Sequence, residues 1–187
     1  MQAARILGCG FLGCGLFLGC GSLWTGAMLA GAQDHGDKSL AARVQRLEDQ
    51  DEIRMLLVDY GRSLDARDFV KYASLFAKDG EWTGGFGTAK GPAAIQAMMD
   101  KDIGSTPAPR PNSTYHLLTN FAIDVHGDTG TVWSRWAFVV TTKENTPSIL
   151  YGGHYDDIVV REDGHWKFKK RVASNDIPHM DNPAPAK

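Results

Sequence analysis

The sequence predicts an α+β domain in which three N-terminal helices pack across the concave side of a curved antiparallel sheet. Two patterns carry that expectation. Apolar residues recur at three- and four-residue steps between Leu40 and about Lys101, whereas from Phe121 to Ser174 they alternate with polar ones in four runs. Helices followed by strands joined through short turns define this class, because each layer must bury its apolar face on the other. A chain of 187 residues suits one such domain with a sizeable core.

Residues 1–32 read as a secretory signal peptide. Arg5 supplies a positive start, ILGCGFLGCGLFLGCGSLW is apolar and small, and Ala30-Gly31-Ala32 offers a small-x-small cleavage site. Two other readings stay open. The uncharged run from Ile6 to Ala32 is long enough for a retained anchor, and Leu18-Gly19-Cys20 resembles the end of a lipoprotein motif. The expected location is periplasmic or secreted, with membrane attachment only if this segment is retained or lipidated. Cys9, Cys14 and Cys20 all lie inside it. A chain cleaved after Ala32 therefore has no disulfide, cysteine nucleophile or thiolate metal site.

Residues 33–38, QDHGDK, read as a linker, and Ser39 as the cap of a first helix carrying Leu40, Val44, Leu47, Ile53, Leu56, Leu57 and Tyr60 on its apolar positions. Gly61 weakens its end, and Ser63-Leu64-Asp65 leads to a second helix over Phe69 to Lys78. Asp79-Gly80 reads as a turn and GEWTGGFGT as a strand with a glycine-rich crossing. Pro92 suits the first turn of a third helix, to about Lys101, before the loop IGSTPAPRPNS. Strands follow at Phe121–Val125, Val132–Thr141, Ile149–Arg161 and Trp166–Ser174. Their turns, at His126-Gly127-Asp128, Lys143-Glu144-Asn145 and Arg161-Glu162-Asp163-Gly164, make neighbours antiparallel. The domain is expected over 39–176, with a polar tail at 177–187. Trp133 and Trp136 fall on opposite faces of one strand, so both faces are expected to be covered.

Charge narrows the partners. Twenty basic and 22 acidic side chains leave a formal net charge of -2, which provides no field for nucleic acid or anionic lipid. Lys167, Lys169 and Arg171 alternate away from Trp166 and Phe168 and read as a solvated face. The six histidines form no HxH or HExxH pattern, so no metal is expected.

Three polar residues point to chemistry. Tyr60 and Asp65 stand in DYGRSLDARDF and His116 opens HLLTNF. A carboxylate that orients an imidazole, with a phenol nearby, is the minimum set for removing a proton from carbon. Each also has a structural reading: Tyr60 as a core aromatic, Asp65 or Asp68 as a helix cap, His116 as a hydrogen-bonded strand residue. Asn120 shares the face of His116 if the strand is regular. Arg135, a lone charge in an apolar strand, needs a carboxylate partner or a polar ligand group. His154 lies in Gly152-Gly153-His154-Tyr155-Asp156, where the glycines permit a bulge or close approach.

Taken together, RLEDQDEIRMLLVDYGRSLDARDFVKYASLFAKDGEW, GTAKGPAAIQAMM, YHLLTN and GGHYDDIVVREDGHWKFKKR resemble the SnoaL-like branch of the nuclear transport factor 2-like superfamily over about residues 43–175. The resemblance is nearest to the group holding scytalone dehydratase, bile acid 7-alpha-dehydratase and hexachlorocyclohexane dehydrochlorinase. It implies a cone-like α+β fold with an apolar pocket for a small apolar or amphipathic molecule, a dimer or trimer, and catalysis without cofactor. It further implies a lyase in which Asp65 and His116 form the proton-abstracting dyad, with Tyr60 and a second histidine, His154, as helpers. An isomerase or a binding module on the same scaffold are the alternatives.

Overall fold

A computed structural model describes residues 30–105 and 113–178, with side chains from Ser39 onward. Residues 1–29, most of the proline-rich loop, the tail after Pro178 with His179, and the His35 side chain lie outside the described residues. The chain divides into two units, Met1–Ser39 and Leu40–Lys187. The described part of the first is helical.

The elements run α1 (Ala30–Ala66), α2 (Phe69–Ser74), β1 (Phe76–Gly84), β2 (Gly87–Lys90), α3 (Pro92–Asp102), β3 (Thr114–His126), β4 (Thr129–Thr141), β5 (Pro147–Glu162) and β6 (His165–Ile177). The strands form one sheet in the order β2-β1-β6-β5-β4-β3. The α+β class and the order of helices before the long strands are as expected. The sheet is mixed, however, because β1 lies parallel to β6. Hairpins impose antiparallel pairing on the consecutive strands, but β1 and β6 are distant in sequence and no tight turn sets their direction.

Several boundaries differ from the sequence reading. α1 passes through residues 33–38 and Ser39 rather than beginning at a Ser39 cap, since that stretch contains no proline to stop it. It also continues through Gly61, where the missing Cβ lets Leu118 of β3 approach to 3.3 Å of the position a Cβ would take. α2 stops at Ser74 instead of Lys78, and β1 runs through Asp79-Gly80. That dipeptide sits within a register shift between Phe76 and Glu81 rather than in a chain-reversing turn. The cap of α2 is Asp68, whose carboxylate accepts from the Lys71 amide at 3.0 Å. Asp65 is thereby free for another role.

The core joins Ile53, Leu57 and Tyr60 of α1 to Val132, Tyr155, Val159 and Phe168 of the sheet. Each large apolar side chain so buried contributes roughly 1.5–3 kcal/mol. Trp136 belongs to this core and Trp133 to the outer face, as alternation requires.

Alternation fails at one place that matters. Ile158 pairs with Lys170 but Val159 with Phe168, so Lys169 is an extra residue in β6. The bulge turns Arg171 inward. It is fully buried, with Nε and Nη2 donating to Asp157 at 2.7 and 2.6 Å, and it does not belong to a solvated face.

A second bulge, between Gly152 and Gly153, answers the glycine pair. A Cβ on Gly153 would lie 1.9 Å from the Ser174 carbonyl oxygen and 2.9 Å from the Trp136 ring. Gly153→Ala is therefore expected to lower unfolding free energy by about 1–3 kcal/mol or more in urea titration. An unchanged midpoint would contradict this close packing.

Candidate active site

α1 ends in a turn that positions Asp65. The Asp68 amide donates to the Ser63 carbonyl at 2.9 Å and the Arg67 amide to the Leu64 carbonyl at 3.1 Å, with Arg67 at φ 55°. This is the left-handed helix ending usually given to glycine. Arg67 is held there by its guanidinium, which donates to the carbonyls of Ile103 and Gly104 after α3.

Asp65 then faces the start of β3. Its carboxylate accepts the His116 backbone N–H at 3.0 and 3.1 Å and the ring Nδ1–H at 2.7 Å. A carboxylate in contact with Nδ1 places the neutral ring's proton on that nitrogen, leaving the Nε2 lone pair for a ligand. The ring packs against Phe138, with centroids 4.8 Å apart. The expected Asp65–His116 pair is thus formed, and both residues line a cavity of about 530 Å³.

Tyr60 lines the same cavity. Its phenol oxygen accepts from the Tyr72 hydroxyl at 2.9 Å and from Trp82 Nε1 at 3.3 Å. Burial, reinforced by the neighbouring Tyr60, pushes the Tyr72 phenol well above its ordinary pKa, so it stays protonated and can donate. Burial does the same to Tyr155, which also lines the cavity. The remaining walls are largely apolar, including Leu64, Met99, Trp136 and Phe138.

Three residues singled out from the sequence lie elsewhere. Asn120 has φ 56° in the bulge between Thr119 and Ala122; it is exposed and accepts from its neighbour Thr119 at 2.9 Å. The face-sharing argument needed a regular strand, which β3 is not. His154 and Arg135 pair across β4 and β5 on the outer face, opposite Tyr155 and Ser134. There His154 Nδ1 meets Asp176 at 2.9 Å, and Arg135 reaches the same carboxylate at 3.3 Å. The partner that Arg135 needed is therefore a carboxylate, and the place proposed for His154 in the pocket is corrected by strand parity. An outer depression of about 720 Å³ around Trp133, Asp156 and Lys170 is larger but open, and His116 is not among its residues.

Sequence reading missed the group beneath the site. The Arg171 guanidinium lies 3.8 Å from the Tyr60 ring centroid and 4.1 Å from those of Tyr155 and Phe168. Burial opposes its charge, but Asp157 more than offsets this and its pKa is raised. Nη1 has no hydrogen-bond partner among the described residues, and the aromatic faces stabilise the cation instead. The available signal was an arginine in the otherwise apolar alternation of β6, obscured by the bulge.

The SnoaL-like domain family matches residues 45–172, from α1 to β6. The chain belongs to the SnoaL-like domain family. Within this nuclear transport factor 2-like group, it is 30% identical over 132 residues to gamma-hexachlorocyclohexane dehydrochlorinase of Sphingobium indicum, covering 70% of this chain and 82% of that protein. A Mycobacterium tuberculosis protein is 28% identical over 149 residues, covering 77% of this chain and 96% of its own. The SnoaL-like fold is also that of an NTF2-like protein with a cystatin-like fold from Novosphingobium aromaticivorans. That structure superposes with a TM-score of 0.66 at 28% identity over 79% of this chain and 92% of the other.

Proposed function

We propose that this SnoaL-like protein is a cofactor-independent lyase that eliminates water or halide from a small apolar molecule. The observation carrying this reading is the 2.7 Å contact between Asp65 and His116 Nδ1 at the wall of an apolar cavity. His116 Nε2 takes a proton from carbon, and Asp65 stabilises the imidazolium that forms. The electrons of the broken C–H bond form the double bond as the leaving group departs. The dehydrochlorinase relative supports elimination as the reaction class. A screen of cyclic alcohols, halides and β-hydroxy carbonyl compounds, followed by product analysis, tests it. Turnover of some member by the wild type and its loss in His116→Ala is the expected result; full activity in that variant would sink the assignment. Return of the proton to another carbon is the isomerase alternative, and the same product analysis records it.

Two further expectations belong to this proposal. Tyr115, Leu117, Ile149 and Ile177 are exposed, and their register places them together on the outer face. Such a patch supports a homodimer or homotrimer, read by light scattering, with a monomer at micromolar concentration as the contrary result. Export with cleavage after Ala32 is read from the N-terminal mass of the mature chain.

A further inference from the structure

We infer that the solvent-facing side of α1 is an interface for a second copy of this chain, paired antiparallel about a two-fold axis near Glu52 and Ile53. An amphipathic helix on the surface of a domain has one apolar side. This helix has two. Ile53, Leu56, Leu57 and Tyr60 belong to the core, while Leu40, Val44, Leu47, Met55 and Val58 are between 41% and 63% exposed. At about 100° per residue the exposed five fall within about 80° of one another, on the side of the helix opposite the core. Apolar residues scattered singly over a surface need no partner, but a line of them along one helix marks a contact.

Two charges interrupt the line and select its occupant. Leu47, Asp51, Arg54 and Val58 follow steps of four, three and four residues, the spacing of a seam between paired helices. Asp51 and Arg54 are exposed, and neither makes an ion pair or side-chain hydrogen bond among the described residues. A lipid surface would have to desolvate both charges. A parallel second helix would set Asp51 against Asp51 and Arg54 against Arg54. An antiparallel one sets Asp51 against the partner's Arg54, Arg54 against the partner's Asp51, and Leu47 and Val58 against the partner's Val58 and Leu47. The surface is thus complementary to itself, as a two-fold interface requires. A charge pair inside an apolar seam also fixes its register and orientation, at some cost in stability. Leu40 and Val44 extend the contact beyond these four layers. This surface is separate from the outer sheet patch of Tyr115, Leu117, Ile149 and Ile177, and it does not rest on the elimination reading.

Charge reversal tests the pairing, with the full chain studied by sedimentation velocity at low salt, where surface charges are least screened. Asp51→Arg leaves only positive charge in the seam and Arg54→Asp only negative. Each variant alone is expected to associate about tenfold or more weakly than the wild type, because both charged layers then join like charges. An equimolar mixture of the two variants joins opposite charges in both layers again, and it is expected to regain the wild-type assembly. The double variant Asp51→Arg with Arg54→Asp should do the same. A structural role for either residue within one chain would not give recovery on mixing. Both positions are exposed, so circular dichroism should show every variant folded. Leu117→Glu breaks the sheet patch and should leave this pattern intact, which separates failure of that contact from failure of this one. A monomeric wild type, single variants that associate as the wild type does, or a mixture that stays dissociated each overturns the inference. Flotation of a monomeric wild type with phosphatidylglycerol vesicles would overturn it too, by assigning the stripe to a membrane.

Discussion

Replacing His116 by Ala is expected to lower kcat on the true substrate by about 10²- to 10⁴-fold, the usual contribution of a positioned general base. The fold should survive, because His116 is only partly buried at the start of β3 and its backbone N–H still reaches Asp65. Asp65→Asn separates orientation from charge. An amide oxygen can still accept the His116 backbone N–H, but it no longer stabilises an imidazolium. The variant should therefore lose kcat with little change in thermal midpoint. Measuring kcat and unfolding on the same samples decides the matter. A collapsed fold with normal residual turnover per folded molecule would make Asp65 and His116 structural.

Replacing Arg171 by Met is expected to lower unfolding free energy by about 3–5 kcal/mol, because it strands the Asp157 carboxylate in the core. Both side chains of this bidentate pair are fully buried. Burial already pushes the Asp157 carboxyl up and Arg171 holds it down. The double change Arg171→Met with Asp157→Leu should recover most of the loss, since no buried charge is left unpaired. Urea unfolding of the two singles and the double closes the cycle. A cost under about 1 kcal/mol for the Arg171 change would mean that water reaches the pair.

These residues also mark how far the sequence could be read. Apolar spacing in α1, Pro92 at the start of α3 and the Gly/Asn/Asp turns between β3 and β6 are local signals, and the structure keeps the elements they specify. The turn at Asp163 and Gly164 has φ of 53° and 81°, the left-handed pair that a tight hairpin demands. Bulges are different. Whether a strand gains an extra residue depends on how it pairs with its neighbour, and each bulge reverses every inward and outward assignment beyond it. Arg171 and Asn120 were misplaced for that reason.

Sequence alone determined the class of the domain, the order of its helices and long strands, and Tyr60, Asp65 and His116 as candidates, because periodicity and residue chemistry are local. Tertiary structure alone decided that Asp65 meets both nitrogens of His116 that it can serve, that His154 and Arg135 pair with Asp176 on the outer face, and that β1 joins the sheet parallel to β6. It also buried Arg171 beneath Tyr60. Each of these depends on strand register and on contacts between residues far apart in the chain, which no local pattern specifies.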